Sequence, residues 1–351
     1  MARARQTLGD VARLAGVSVS TASMALSGSP RVAKETRRRV VEAAERLQYV
    51  ADSAGRSLRS RRAGALAVVV PHSTRHLFSH PVLIDLLEGI MSVANERDLI
   101  TVLSTSPTEE DEETAYDRVA RGRRADGMIV LGAAATDLHA AQLTRSGFSV
   151  VLFGRSPLMP DVPSVSLDDQ SGAYEATKHL IEVHGARRLA HVSGPLRHQS
   201  SVEKRDGFVA ALRDAGLNVN PRLQIEGDYT EQSGWKAGQN LLEHLGVLDA
   251  VFCANDQMAM GLLQSLRDGS VSVPEDVRLA GYDDHPLSPF TQPTLTTVCA
   301  DFVDTGRQAA LQLLRLLDDE DGGDLEPAHI VLPTRLVVRT SCGCQTPPSA
   351  G

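Results

Sequence analysis

Short apolar runs alternating with amphipathic stretches organise most of the chain. ALAVVV (65–70), ITVLST (100–105), GMIVL (127–131) and VVLF (150–153) are strand-length and mostly apolar, and segments of helical spacing lie between them at about 82–97, 112–121 and 137–146. A second series repeats the pattern: RLAHVS (188–193), AVFCA (250–254) and VRLAGY (277–282), with helical segments near 171–184, 201–215, 231–244 and 257–268. Apolar strands separated by helices predict parallel sheets covered on both faces, an α/β fold. Two such series predict two lobes able to close on a ligand, because ligands of open α/β sheets bind outside the carboxyl ends of the strands. DDEDGGDLEP (318–327) predicts a loop, and QTPPSAG a disordered tail.

Residues 7–48 follow another pattern. Apolar positions at helical spacing predict three short helices: Thr7 to Ala15, Ser18 to about Leu26, and about Lys34 to Gln48. Gly16-Val17 turns the chain, Ser18 can cap the second helix, and Ser27-Gly28-Ser29-Pro30 ends it. Two helices joined at a glycine and followed by a third fit a helix-turn-helix, whose second helix enters the major groove by its N-terminal end. The next segment, YVADSAGRSLRSRR (49–62), holds four arginines and few apolar residues. It reads as a linker, or as a short helix that forms once its charge is neutralised.

Charge separates the same two regions. The 351-residue chain has a net charge of −8, yet residues 1–62 carry 13 Lys+Arg against 5 Asp+Glu, and the remainder carries 23 against 39. A basic head on an acidic body aims the head at polyanions and the body elsewhere. MARARQTLGD has no apolar signal core and no apolar run reaches about 18 residues, so a cytoplasmic protein without a membrane segment is expected. Cys253 and Cys299 lie in apolar runs, while Cys342 and Cys344 form a C-x-C with no second Cys/His pair at zinc-ligand spacing. All four are expected to be reduced, and no metal or cofactor is expected.

Longer stretches carry a specific resemblance. TLGDVARLAGVSVSTASMALSG, RVAKETRRRVVEAAERLQYVAD and GRSLRS resemble the DNA-binding head and hinge of the lactose-repressor/galactose-repressor (LacI/GalR) family. RADGMIVL, VSLDDQSGAYEATKHLIEVHGARRLAHVSGP, CANDQMAMG, PEDVRLAGYD and LVVRTSCG resemble that family's core, in the same order, over roughly residues 6–343. The resemblance implies a homodimeric transcription regulator, usually a repressor, that binds a near-palindromic double-stranded DNA operator. It also implies a periplasmic-binding-protein-like core of two lobes that holds a small-molecule effector, a sugar or sugar derivative. The chain is accordingly divided into a head (1–49), a hinge (50–62), an effector-binding and dimerisation core (63–343) and a tail (344–351). No heptad helix follows Gly343, so a dimer is expected in preference to a tetramer.

Carried over by motif, the base-reading positions are Val19, Ser20 and Met24, with Leu58 as a minor-groove wedge between central base pairs. Thr7, Ser18, Thr21, Ser23, Ser27 and Thr36 fall at phosphate-contact positions, and Arg31 lies near the DNA backbone. Ser18 equally suits a helix cap, Ser23 and Ser27 equally suit solvated surface, and Leu58 equally suits an isolated linker residue. Met24 stands where many relatives have a long polar side chain; it offers apolar contact to a thymine methyl instead of a bidentate hydrogen bond. Ala51, Gly55 and Ala33 replace a proline, an alanine and a helix-capping serine usual in the family.

For the effector, the resemblance implies Asp283 in GYDD, Asn255 in CANDQMAMG, Tyr229 in GDYT and Lys204 in VEKRDGF, with Phe302, Val82 and Leu83 as weaker candidates. Asp283 is the leading candidate, because a carboxylate accepts hydrogen bonds from sugar hydroxyls; a turn aspartate capping local backbone is the alternative. Asn255 is expected to reach the ligand while Asp256 caps the following helix. Lys204 replaces a common arginine and lacks its fork geometry. Gly154, Arg155 and Asp168 are expected near the lobe interface, where Asp168 equally suits a structural role. No P-loop, GxGxxG, G-x-S-x-G or HExxH is present, which argues against an enzyme. Two other readings share the core: a family member that answers to a protein partner, and a solute-binding protein, which the basic head disfavours.

Overall fold

The computed structural model describes residues 6–26, 29–49, 62–108, 111–244, 246, 248–319 and 328–345. The chain divides into two compact units, Met1–Ala63 and Gly64–Gly351.

Among its described residues the first unit holds three helices, α1 (Leu8–Ala15), α2 (Val19–Leu26) and α3 (Lys34–Arg46). Thr7 opens α1 with a reciprocal cap: its hydroxyl accepts from Asp10 N, and Asp10 accepts in turn from Thr7 N at 3.0 Å. Gly16 ends α1 in the left-handed conformation, φ 65°. Ser18 Oγ then accepts from Thr21 N at 3.1 Å and starts α2. Ala33, at the N-cap of α3, makes no side-chain cap, as the missing serine predicts. The core is mostly small, with Val11, Ala12, Ala15, Ala22, Ala25, Val40, Ala43 and Ala44 buried, so the helices pack closely.

The second unit is two α/β lobes. The first carries β1 (Ala65–Ser73), α4 (Thr74–Ser79), α5 (Pro81–Glu96), β2 (Ile100–Ser106), α6 (Glu112–Ala120), β3 (Gly127–Val130), α7 (His139–Arg145), β4 (Ser149–Phe153) and β5 (Ser164–Leu167). The second carries α8 (Asp169–Glu182), β6 (Leu189–Ser193), α9 (Gln199–Asp214), β7 (Gln224–Glu226), α10 (Glu231–Leu242), β8 (Ala250–Cys253), α11 (Asp256–Asp268), β9 (Arg278–Asp283) and β10 (Thr296–Cys299). The chain then returns to the first lobe with α12 (Phe302–Asp318), packed on α5, and β11 (His329–Leu332), and ends in the second with β12 (Arg335–Val337). The sheet orders are β11-β5-β4-β3-β1-β2 and β12-β10-β9-β8-β6-β7. All pairings are parallel except β12 against β10.

The predicted α/β fold with a three-helix head is therefore present. Strands β5, β7, β10, β11 and β12 and helices α4 and α12 are additional to the predicted elements. Three strand-to-element passages, after β5, β10 and β11, link the lobes. Asp168, expected near the lobe interface, sits in the first passage: it caps α8 by accepting from Ser171 N at 3.1 Å, and its N–H donates to Leu332 O in the third passage at 2.9 Å. Its part is structural. Cys344, assigned to the tail, packs against the core of the second lobe. No helix among the described residues is long and apolar enough to cross a membrane.

Candidate effector cavity and DNA-reading surface

A cavity of about 450 Å³ opens between the carboxyl ends of the two sheets. All seven effector candidates line it: Val82, Leu83, Lys204, Tyr229, Asn255, Asp283 and Phe302. Gly154 and Arg155 line it as well. Their surroundings divide them into different roles.

Asp283 ends β9 with φ 101°, a region that side chains other than glycine rarely adopt. Such strain costs about 1–3 kcal/mol and is retained where surrounding structure enforces it. The enforcement comes from Asp256 beneath the loop. Its carboxylate accepts from His285 N (2.8 Å), Ser288 Oγ (2.6 Å) and Thr297 Oγ1 (2.6 Å). Burial outweighs those three donors and pushes the Asp256 carboxyl up to about 7. Burial likewise pushes Asp283 up to about 8, against the pull of Lys204.

Lys204 does not reach freely into the cavity. It is 5% exposed, lies 3.6 Å from Asp169 and 3.8 Å from Asp283, donates to Ala254 O at 3.2 Å, and sits 3.7 Å from the centroid of the Tyr282 ring. Burial opposes its charge, but the two carboxylates outweigh it and raise the ammonium above its ordinary value. Lys204 lines the cavity with its ammonium set between the carboxyl groups of Asp169 and Asp283. Arg205, one residue later, pairs with its neighbour Asp206 instead.

The cap expected of Asp256 falls to Asn255, and Asp256 serves the loop after β9. Asn255 is the cap of α11: its Oδ1 accepts from Met258 N at 3.0 Å and its Nδ2 donates to Tyr229 O at 2.9 Å. One amide N–H and the amide oxygen are thus engaged, and the side chain still lines the cavity. Tyr229 has φ 68°, and its hydroxyl lies within hydrogen-bond distance of Ser200 and Ser201. Its ring lies flat against Gly194, where any Cβ would collide with it. Leu83 and Phe302 are 5% and 6% exposed and belong to the first lobe's core; Phe302 meets Phe153 edge-on at 6.4 Å. They shape the wall, and Val82 is half-buried beside them.

Several lining residues were not among the candidates. Asp169, Glu203, Asp228, Gln199, His198, Arg197 and Gln257 face the cavity from the second lobe. Burial raises Asp169 and Glu203 above the usual carboxylate range. Burial acts the same way on Asp228, but hydrogen bonds from Thr230 and Ser233 outweigh it and hold that group low. At the rim the lobes touch through Ala135 N donating to Arg197 O at 2.9 Å and Gln257 Nε2 donating to Ser79 O at 3.2 Å. His72 and His198 meet edge-on across the same line, 5.8 Å apart.

In the head, Val19 is 52% exposed and Ser20 is exposed beside it at the start of α2. Met24 is half-buried and packs against the head's own core, so part of its surface serves folding and only the remainder is open to DNA. Thr7 and Ser18 are cap residues whose hydroxyls already have backbone partners. Thr21 hydrogen-bonds Ser18 at 2.8 Å, Ser23 and Thr36 are half-buried, and Arg31 is exposed. Ser27, Leu58, Ala51 and Gly55 lie outside the described residues.

The family model described as bacterial regulatory proteins, lacI family, matches residues 7–52, and that described as a periplasmic binding protein-like domain matches residues 177–342. The HTH-type transcriptional regulator CelR of Thermobifida fusca is 36% identical over 342 residues, covering 97% of this chain and 99% of the relative. A solved structure described as a transcriptional regulator CelR–cellobiose complex superposes with a TM-score of 0.75 at 34% identity, covering 96% of this chain and 100% of that one. The lac repressor dimer bound to operator and the anti-inducer ONPF superposes with a TM-score of 0.84 at 26% identity, covering 97% and 99%.

Proposed function

The chain belongs to the LacI/GalR family of bacterial transcription regulators, and on that premise we propose that it is a repressor whose operator affinity is set by a sugar held between its two core lobes. The single observation that carries this reading is the cavity with Asp283 held at its wall. A volume of about 450 Å³ falls within the range of small-molecule sites. Carboxylates accept from hydroxyls, arginines donate to ring and hydroxyl oxygens, and aliphatic side chains cover the C–H faces of a sugar ring. A disaccharide is the size class that suits this space, and cellobiose, named with the relative's structure, is the first ligand to try.

Differential affinity supplies the control. A sugar that binds one arrangement of the lobes better than another shifts the population, and operator affinity follows by linkage. The chain acts as a homodimer, because one head covers one half-site and the Leu58 wedge requires a partner across the two-fold axis. Val19, Ser20 and the exposed part of Met24 read the major groove by methyl and hydroxyl contacts; Thr7, Ser18, Thr21, Ser23, Ser27, Arg31 and Thr36 position the head on phosphates.

Thermal shift and calorimetry with a panel of β- and α-linked disaccharides test the sugar reading. A true ligand at 100 times its Kd stabilises by about 2.7 kcal/mol. No stabilisation by any sugar would favour regulation by a protein partner. The wedge is tested separately: Leu58→Ala should weaken operator binding about tenfold or more, ~1.4 kcal/mol, with an unchanged melting curve. Undiminished affinity in a gel-shift titration removes the wedge.

A further inference from the structure

Away from the cavity, four soft donor groups converge. His179, His184, Cys342 and Cys344 each place one ligand atom within 4.8 Å of the other three. The C-x-C near the chain end has no neighbouring partner pair in sequence; the fold supplies one from about 160 residues upstream. His179 lies in the last turn of α8, and His184 follows just beyond that helix.

The cysteine turn is clamped in place. Ser341 Oγ donates to Leu279 O at 2.7 Å and accepts from Thr296 N at 2.8 Å, while Leu279 N donates to Ser341 O at 2.9 Å. Gly343 separates the two cysteines with φ 102°, which lets the chain curl so that both thiols face the same histidines. A Cβ there would press on His184, 3.4 Å from Nδ1.

The spacings suit coordination. Nε2 of His179 lies 3.4 Å from Cys342 Sγ and 3.7 Å from Cys344 Sγ, and Nε2 of His184 lies 3.3 Å from Cys344 Sγ. Zn–S near 2.3 Å and Zn–N near 2.0–2.1 Å in a tetrahedron place neighbouring N and S donors about 3.5 Å apart. The two imidazoles meet edge-on, 5.1 Å between centroids, and so present their Nε2 atoms without stacking. The two chain segments supply four protein donors, a full tetrahedral set, the mark of a structural site as opposed to a catalytic one.

The geometry points to a Cys2His2 zinc site that pins the end of the chain to α8 in the second lobe. On loading, Zn²⁺ displaces one proton from each thiol, and the two thiolates with two neutral imidazoles give an uncharged centre suited to a partly buried place. Cys342 is fully buried among Leu180, Leu189 and Phe208, so the metal braces core packing from its edge.

The test uses full-length protein, stripped with a chelator and titrated with Co²⁺ and then Zn²⁺. The expected result is one metal per chain, thiolate-to-cobalt charge transfer with tetrahedral d–d bands, and displacement of cobalt by zinc. Cys344→Ser and His184→Gln change partly exposed positions and should keep the circular dichroism of the parent. Each should weaken zinc binding by at least about 100-fold, beyond the 10–100-fold typical of an outer-shell change, and abolish the zinc-induced rise in melting temperature. Absence of the cobalt bands, a disulfide between Cys342 and Cys344 in freshly reduced and re-equilibrated protein, or stoichiometric zinc binding that both folded variants retain would each overturn the site.

Discussion

The two walls of the cavity are made of different materials. Among the described residues, the first lobe contributes Val82, Leu83, Leu152, Met159 and Phe302, several serines, His80, Arg75 and Arg155, but no carboxylate. Every carboxylate that lines the space among the described residues, Asp169, Glu203, Asp228 and Asp283, comes from the second lobe. The second lobe also holds its polar groups in place with its own side chains, through Lys204, the Asp256 hydrogen bonds and the Asn255–Tyr229 bond. Such preorganisation lowers the ordering cost of binding. The contrast places the acidic acceptors on the second lobe and most of the large apolar cover on the first.

The largest effect should follow from removing the one cation that holds two buried carboxylates. Lys204→Met should destabilise the core by about 3–5 kcal/mol at neutral pH, read by urea unfolding. The loss should shrink as pH falls. Lys204 is what draws the raised carboxyls of Asp169 and Asp283 down, so without it both rise further; at low pH they are neutral in parent and variant alike, and the missing cation costs less. A variant as stable as the parent at neutral pH would show that Lys204 does not hold the wall together.

Asp283→Asn should cost sugar affinity about 10–150-fold, the worth of one charge-assisted hydrogen bond at ~1.5–3 kcal/mol, while operator binding without sugar stays intact. If hydroxyls donate to ionised Asp283, the wild-type affinity should rise about tenfold between pH 7 and pH 9, because the group is pushed up to about 8 and only its ionised fraction is competent. Calorimetry across that range should give a flat profile for Asp283→Asn. A wild-type profile that is also flat would move recognition away from this carboxylate.

On the first lobe, Val82→Ala should weaken binding by no more than about 15-fold, since two methyl groups are worth at most about 1.6 kcal/mol. A loss greater than that of Asp283→Asn would reverse the division of labour between the lobes.

How much of this was legible depends on how local each feature is. ALAVVV and AVFCA declare buried strands by their own composition, and Thr7, Ser18 and Gly16 declare helix ends within a few residues. The seven cavity residues were reached through motifs, and the fold does bring them to one space. Their individual duties were not legible. Asn255 and Asp256 are adjacent residues of equal capping ability, and only the positions of Ser288 and Thr297 decide that Asp256 serves the loop. The pairing of Lys204 was not legible either, because its partners Asp169 and Asp283 lie far from it in sequence. Strands such as Gln224–Glu226 and Arg335–Val337 are too short for a period to show. The return of α12 to the first lobe is a matter of chain path, which no local pattern records.

The account rests on coupling between the cavity and the operator, and an operator titration by fluorescence anisotropy tests it most directly. The titration is run with and without a saturating sugar whose binding calorimetry has established, on wild type and on Asp283→Asn. The wild-type operator Kd should change about 5–150-fold, a coupling of ~1–3 kcal/mol, and the variant's should not move at that sugar concentration. An unchanged wild-type Kd with sugar bound, or a variant that responds as the wild type does, would contradict the account.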